Sequence, residues 1–213
     1  MERELFDVLD CTGRRAGEVI GRDEAHASGA WHGAFHCLMV YPRGGRPAAL
    51  FQRRAAEKKI APGLLDVTVG GHYASGEDAS SAGPREIAEE LGLAVPYADL
   101  VPLGRRVALY CFTPGVREQE FQDVFLLPRE GRPELLTLQP GEVDAVLEMD
   151  VETGIGMFGG GGPATGRLID AAGAETEVMV RPEDFVPCID SYYLKMLVLA
   201  RRYCAGERSA LAI

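Results

Sequence analysis

The sequence contains no asparagine, and only Lys58, Lys59 and Lys195 among its 22 basic residues are lysines. The missing amide and the excess of arginine are read as codon bias rather than thermal adaptation. Cations are also outnumbered. A formal net charge of −10 argues against duplex nucleic acid as a partner, because that binding needs clustered positive charge. No stretch approaches the roughly 20 apolar residues that a membrane helix requires, so no membrane role is expected. The opening MERELFDVLD is charged at positions 2, 3 and 4 and has no apolar run behind it, unlike a secretory signal. The cytoplasm is therefore the expected setting. The five cysteines (Cys11, Cys37, Cys111, Cys188 and Cys204) are odd in number and never spaced C-x-x-C. This argues against a disulfide framework and a thiolate zinc site, and they read as buried small hydrophobes.

What is present suits one soluble domain. The 213 residues are 46% hydrophobic and 25% charged, enough to bury a core. Residues 4–10 and 16–20 read as a hairpin, followed by a charged break. Ala34–Tyr41 is a compact apolar run suited to a buried strand, paired through a Gly-Pro turn with Ala48–Arg53. Further strands are expected at Leu64–Val69, Val101–Phe112, Glu120–Leu127 and Gly141–Met149. A late hairpin is expected around Ala172-Gly173, and a closing amphipathic helix over residues 190–204. Helices and strands mix without a βαβ rhythm, which points to an α+β fold. The run Gly154-Ile155-Gly156-Met157-Phe158-Gly159 matches G-x-G-x-x-G but lacks the strand–turn–helix context of a dinucleotide site. It reads as a surface loop after a short helix.

The chemistry concentrates in PREIAEELGL, residues 84–93. Glu86, Glu89 and Glu90 stand at i, i+3 and i+4, on one helical face, while Ile87 and Leu91 form the anchoring stripe. Repelling carboxylates in that array want a cation over them, and hard oxygens suit Mg²⁺ or Mn²⁺. A solvated acidic face is the plain alternative. The preceding Gly-Gly turn, Glu77 and Arg85 argue against it. Pro84 is best tolerated in a first turn, so the regular helix is expected to begin near it, with Glu86 close to the positive end.

From Gly71 onward the chain reads G-x5-E-x7-R-E-U-x-E-E-x-G-U, with U aliphatic: Gly71, Glu77, Arg85, Glu86, Ile87, Glu89, Glu90, Gly92 and Leu93. This resembles the Nudix box of the Nudix hydrolase superfamily, with every fixed position filled. The resemblance implies a Nudix fold: a mixed β-sheet sandwiched between helices, here with an N-terminal hairpin (1–30), a core (31–150) and a C-terminal loop, hairpin and helix (151–213) in one domain. It implies Mg²⁺ or Mn²⁺ held by the Gly71 carbonyl, Glu86, Glu89, Glu90 and one downstream carboxylate, Glu120. Glu86, Arg85 and Glu89 carry the catalytic roles, with Glu86 orienting or deprotonating the attacking water. Arg85 and Glu77 would pair to brace the loop. The implied reaction is hydrolysis of a nucleoside diphosphate linked to a further group, by a protein that is a homodimer on family grounds.

A finer resemblance, over residues 5 to 150, is to Nudix proteins related to isopentenyl-diphosphate isomerase. It rests on Leu50-Phe51-Gln52-Arg53-Arg54, Lys58-Lys59, Pro62-Gly63, Gly71-His72, Trp31-His32-Gly33-Ala34-Phe35 and Glu118-Gln119-Glu120-Phe121. The isomerases' metal ligands correspond to His26, His32, His72, Glu118 and Glu120, which implies a second metal site. Each histidine alone also reads as a structural hydrogen-bonding group. Arg53, Arg54, Lys58 and Lys59 would suit a pyrophosphate, but Arg53 and Arg54 point to opposite strand faces and only one can enter a shared site, so the match to the isomerases puts Arg53 and Lys58 first. Isomerisation uses a cysteine just before Gly-His. Here that position is Gly70, so hydrolysis is favoured over isomerisation and over a non-catalytic nucleotide sensor.

Overall fold

The computed structural model describes residues 4–111, 114–129 and 133–213. In chain order these form β1 (Leu5–Leu9), β2 (Arg15–Gly21), α1 (Arg22–Ser28), β3 (His32–Arg43), β4 (Arg46–Arg54), β5 (Leu65–Val67) and β6 (Val69–His72). They continue with α2 (Ala79–Leu91), β7 (Val101–Tyr110), β8 (Glu118–Pro128), β9 (Val143–Asp150), α3 (Val151–Gly156), β10 (Ala164–Asp170), β11 (Glu175–Val180) and α4 (Tyr192–Cys204). The expected strand end at Phe112 lies outside the described residues.

The apolar run Ala34–Tyr41 is buried throughout because both faces of β3 are covered. Phe35, Cys37, Met39 and Tyr41 pack with Ile87 and Leu91 of α2. Leu38 and Val40 face the other way, into a core shared with Tyr192, Met196 and Leu197 of α4. The sheet runs β11-β10-β9-β4-β3-β8-β7, with β5 on β4 and β6 on β3. Only the β3–β8 pair is parallel among the described pairings. The result is the expected α+β Nudix architecture, a mixed sheet between helix layers, with β1–β2 as a separate hairpin.

One edge of β3 is shared. Residues 34–37 pair with β6, whereas residues 39–43 pair with β4. Thr68, fully buried between β5 and β6, holds the fork open: its hydroxyl accepts from Met39 N–H at 2.7 Å and donates to the Leu50 carbonyl. Backbone groups that the ladder leaves unpaired are thus satisfied by a side chain. The cavity described below opens among β6, β5 and the end of β4.

Several expectations are corrected. Helix α2 begins at Ala79, not near Pro84, which lies inside it. Asp78 caps it by accepting from Ser80 N–H at 2.9 Å, and Ser81 Oγ accepts from Asp78 N–H at 3.2 Å. That capping box, with the buried Ile87 and Leu91, outweighs the roughly 3 kcal/mol cost of an interior proline. Glu86 therefore sits mid-helix, away from the positive end. The charged break after β2 is helix α1, stopped by Gly29 in the left-handed region. The G-x-G-x-x-G run is helical rather than a loop, and a Cβ on Gly154 would lie 2.7 Å from Leu197 Cδ1. That glycine serves close packing of α3 on α4. All five cysteines are free, but only Cys37 is buried. Cys188 is half-buried and the other three are exposed.

Candidate active site

Two dissimilar walls face one cavity of about 450 Å³. The first is α2, where heptad-like spacing brings Arg85, Glu86, Glu89 and Glu90 to the lining. Arg85 organises it. Its Nε and Nη2 fork onto Glu77 at 2.9 and 2.7 Å, while Nη1 reaches Glu86 Oε1 at 2.8 Å and Glu89 Oε2 at 3.1 Å. Nη2 also donates to the His72 carbonyl at 3.2 Å. The hydrogen bond from Arg85 holds the Glu77 carboxyl below its usual range, and Glu77 also accepts from Ala74 N–H at 2.9 Å. The loop is therefore tied to the helix at both ends of one ion pair.

Glu86 and Glu90 are buried. Burial pushes the Glu86 carboxyl up to about 7 against the pull of Arg85, and burial with repulsion from Glu86 pushes Glu90 to about 8. Glu90 is held by weak contacts, from Gln52 Nε2 at 3.2 Å and Gly70 N–H at 3.4 Å. A Cβ at position 71 would lie 2.1 Å from the Glu86 carboxyl carbon, so only glycine lets that carboxylate rest against the backbone there. Among the described residues Glu86, Glu89 and Glu90 do not bring three ligand atoms within 4.8 Å of one another, but carboxylates on one cavity wall, two of them buried with raised affinity for protons, suit a hard divalent cation.

The second wall draws on four elements: His72 of β6 and Glu118 and Glu120 of β8 line the cavity, and His26 of α1 and His32 of β3 group with His72 without lining it. The ligand atoms of His26, His32 and His72 lie within 4.8 Å of one another, as do those of His72, Glu118 and Glu120. Glu120 Oε1 is 3.1 Å from His72 Nε2 and 3.7 Å from His32 Nε2, and Glu118 Oε1 is 3.7 Å from His26 Nε2. The Nε2 atoms of His26 and His32 are buried without a hydrogen-bond partner. His32 Nδ1 donates to the Ala30 carbonyl at 2.9 Å, so in the neutral ring the lone pair is at Nε2. Phe6 of the hairpin packs 4.9 Å from both the His32 and His72 rings and fixes their planes.

Electrostatics on this wall are split. Burial, with His72 and His32 nearby, holds His26 down to about 3. Burial and the Glu120 charge push Glu118 up to about 8. Against burial, His32 and His72 hold Glu120 well below the usual carboxylate range, and Glu120 in turn raises His32. Orphaned imidazole nitrogens beside two carboxylates fit a cation of borderline character. Glu120 was expected both as the downstream ligand of the box and beside the histidines; among the described residues it groups with His72 and Glu118.

The cationic residues need a second correction. Arg54, not Arg53, lines the cavity, with Nη2 on the Ile60 carbonyl at 2.9 Å. Alternation lets only one of the pair enter, and Arg54 does, on the strand face it shares with Gln52, whose amide reaches Glu90. Lys58 lines the cavity beside Glu142, but Lys59 is exposed and pairs with Asp23 at 3.0 Å. Sequence reasoning missed His36, Asp66, Tyr110, Gln122 and Gln139, which also line the cavity. None carries a local motif. Cys37 and Cys111 are not among the lining residues, and Trp31 packs on Phe121 at 5.0 Å.

Comparison with known proteins agrees with this geometry. The profile of the NUDIX domain matches residues 30–157. The chain is similar to an uncharacterised Nudix hydrolase of Clostridium acetobutylicum, 29% identical over 203 residues that cover 91% of this chain and 95% of that protein. It is 38% identical over 92 residues to an isopentenyl-diphosphate Delta-isomerase of Mycolicibacterium vanbaalenii, covering 43% of this chain and only 49% of the isomerase. A crystal structure of a protein from Deinococcus radiodurans superposes with a TM-score of 0.57 at 21% identity, over 74% of this chain and 90% of that one.

Proposed function

The chain belongs to the Nudix family of hydrolases acting on pyrophosphate bonds, and on that premise we propose that it is a Mg²⁺- or Mn²⁺-dependent pyrophosphohydrolase. Its substrate is a nucleoside diphosphate linked to a further group X, or a similar organic pyrophosphate. The observation that carries this reading is the complete box, with Glu86 and Glu90 buried on the cavity beside a glycine that no other residue could replace.

The Gly71 carbonyl, Glu86, Glu89 and Glu90 would hold one cation; His26, His32, His72, Glu118 and Glu120 would hold a second. A divalent cation in such a site neutralises phosphate charge and makes bound water more acidic. Arg54 and Lys58 bind the diphosphate from the opposite side. Arg85 engages Glu86 Oε1, which leaves Oε2 to take the proton from the attacking water. The water oxygen bonds to phosphorus as the anhydride P–O bond breaks, and the leaving phosphate keeps the electron pair. The single-domain reading of residues 1–213, a homodimer and a cytoplasmic setting go with this proposal and rest on the sequence and the family resemblance.

A second reading, isomerisation of a prenyl diphosphate, is favoured only by the histidine–glutamate wall and lacks a thiol at Gly70. One assay separates the two. Protein with Mg²⁺ or Mn²⁺ is given a panel of nucleoside diphosphate derivatives and isopentenyl diphosphate, beside Glu89→Gln and Glu90→Gln. Release of a nucleoside monophosphate that both variants lose is expected. Isomerisation without hydrolysis, or turnover indifferent to both substitutions, overturns the proposal.

A further inference from the structure

Beyond its two walls the cavity has a floor built of residues that neither metal site takes as ligands, although Gln122 also donates to Glu120 Oε2. His36 of β3, Asp66 of β5, Tyr110 of β7 and Gln122 of β8 face it. Three of the four are held from behind by one short stretch at the start of α4, outside the segment matched by the NUDIX domain. Tyr192 Oη lies 3.2 Å from His36 Nδ1, and Tyr193 Oη donates to Asp66 Oδ1 at 3.0 Å. Asp190 accepts from Arg106 Nη2 at 2.9 Å, while Arg106 Nη1 donates to Gln122 Oε1 at 2.8 Å. The guanidinium also lies 3.7 Å from the centre of the Tyr192 ring. Three strands thus receive their orientation from residues 190–193.

That bracing leaves specific groups turned towards the cavity. His36 is 7% exposed, and among the described residues its Nε2 has no hydrogen-bond partner. The Nε2 edge is what a side chain at position 70 would meet, at 3.5 Å, so Gly70 keeps it open. Burial holds the imidazole uncharged, down to about 4. Asp66 Oδ2 lies 3.8 Å from Arg54 Nη1, which sets the floor directly beside the cation offered to the diphosphate. Ile60, Ala61 and Val186 form an aliphatic patch at the same end, against Tyr110.

We propose that this floor is the subsite for group X, and that X is an uncharged polyhydroxylated group, a sugar ring in chemical class. The inference rests on the diphosphate-hydrolase reading of the same cavity. A hydroxyl both donates and accepts, so adjacent hydroxyls satisfy a carboxylate and an imidazole together. The aliphatic patch accepts the C–H face of a ring. A further phosphate is repelled by Asp66, because the nearby Arg106 is already committed to Asp190 and Gln122. A bare alkyl chain would leave Asp66 Oδ2 and His36 Nε2 without a hydrogen bond, which is how sites built for hydroxyls reject analogues that lack them.

The test compares ligands that differ only in X. Glu89→Gln protein with Mg²⁺ is titrated calorimetrically with ADP-ribose, the ethyl ester of ADP, and ATP. ADP-ribose is expected to bind about tenfold or more tighter than the other two. Adding Asp66→Asn or His36→Phe should bring the three ligands to within about threefold. Gly70→Ala, which covers the His36 edge and leaves the α4 contacts alone, should act in the same direction and guards against misfolding of the first two. Equal affinities, or a preference that survives all three substitutions, overturns the proposal. Hydrolysis by the unsubstituted protein is read separately. No hydrolysis with the preference intact removes the catalytic reading and leaves the subsite, whereas hydrolysis with no preference does the reverse.

Discussion

The two walls of the cavity carry similar numbers of ligand atoms yet are built in opposite ways. On the α2 wall every carboxylate comes from a single helical turn and a half, and the counter-charge, Arg85, is the neighbouring residue. On the histidine wall the ligands come from α1, β3, β6 and β8, and the counter-charges are each other. The first wall can form wherever its helix forms. The second exists only when the sheet, the N-terminal hairpin and α1 are all docked. The difference predicts that damage to the α2 wall is chemical, and damage to the histidine wall is structural as well.

The largest effect expected is at Glu86. Glu86→Gln should lower kcat by about 10² to 10⁴, in the range for a lost general base, with the melting temperature unchanged or raised. A kcat within a few-fold of the parent would break the comparison, since the α2 wall would then not be the chemical one. Next is Gln122, whose amide donates to Glu120 Oε2. Gln122→Ala should weaken Mn²⁺ binding at the histidine wall about 10- to 100-fold and leave the α2 site nearly unaffected, as two-site titration would read. Equal weakening at both sites would mean the walls are not independent.

Helix placement is sharpened by Gly83. A Cβ there would meet the buried Phe35 ring at 2.6 Å. Gly83→Ala should cost about 1–3 kcal/mol in denaturant unfolding, despite alanine's better helix propensity. An unchanged midpoint would show that α2 sits further from the sheet.

The smallest effect concerns pH. In metal-free protein Glu86, Glu90 and Glu118 have folded values raised to about 7, 8 and 8. Between their unfolded values and these, the folded state holds protons that the unfolded state has lost, so stability falls as pH rises. His26 and His36, lowered to about 3 and 4, oppose this only below their unfolded value of 6.5. His32, raised, acts with the carboxyls above it. The melting temperature should therefore fall between pH 6.5 and 8, by about 2–4 °C for each kcal/mol lost, and added Mn²⁺ should reverse the fall. A rise over that window would show that the buried carboxyls are not the destabilising groups.

Legibility follows the same division. The α2 wall could be read directly because helical periodicity maps i, i+3 and i+4 onto one face, whatever the helix packs against. Even so, where that helix begins was misread at Pro84, since an interior proline is tolerated only when a cap and a packed face outweigh it. The histidines were legible only through resemblance: nothing in the spacing of His26, His32 and His72 says that they meet. Alternation said that only one of Arg53 and Arg54 can enter the cavity but not which, and the choice fell on Arg54, on the face Gln52 shares. His36, Asp66 and Gln122 were missed for a distant reason. They have no pattern of their own, and they become a surface only when residues 190–193 close behind them.

By resemblance the sequence implied the brace between Arg85 and Glu77 and the missing thiol at Gly70, and by itself it determined the sheet strands and the box helix with its carboxylate face. Each depends on neighbours within a few turns of chain, where backbone geometry sets which side chains share a face. Tertiary structure alone decided that Arg54 rather than Arg53 faces the cavity and that the start of α4 backs its floor. Those depend on contacts between residues up to 156 positions apart, such as His36 with Tyr192, and no periodicity in the chain encodes them.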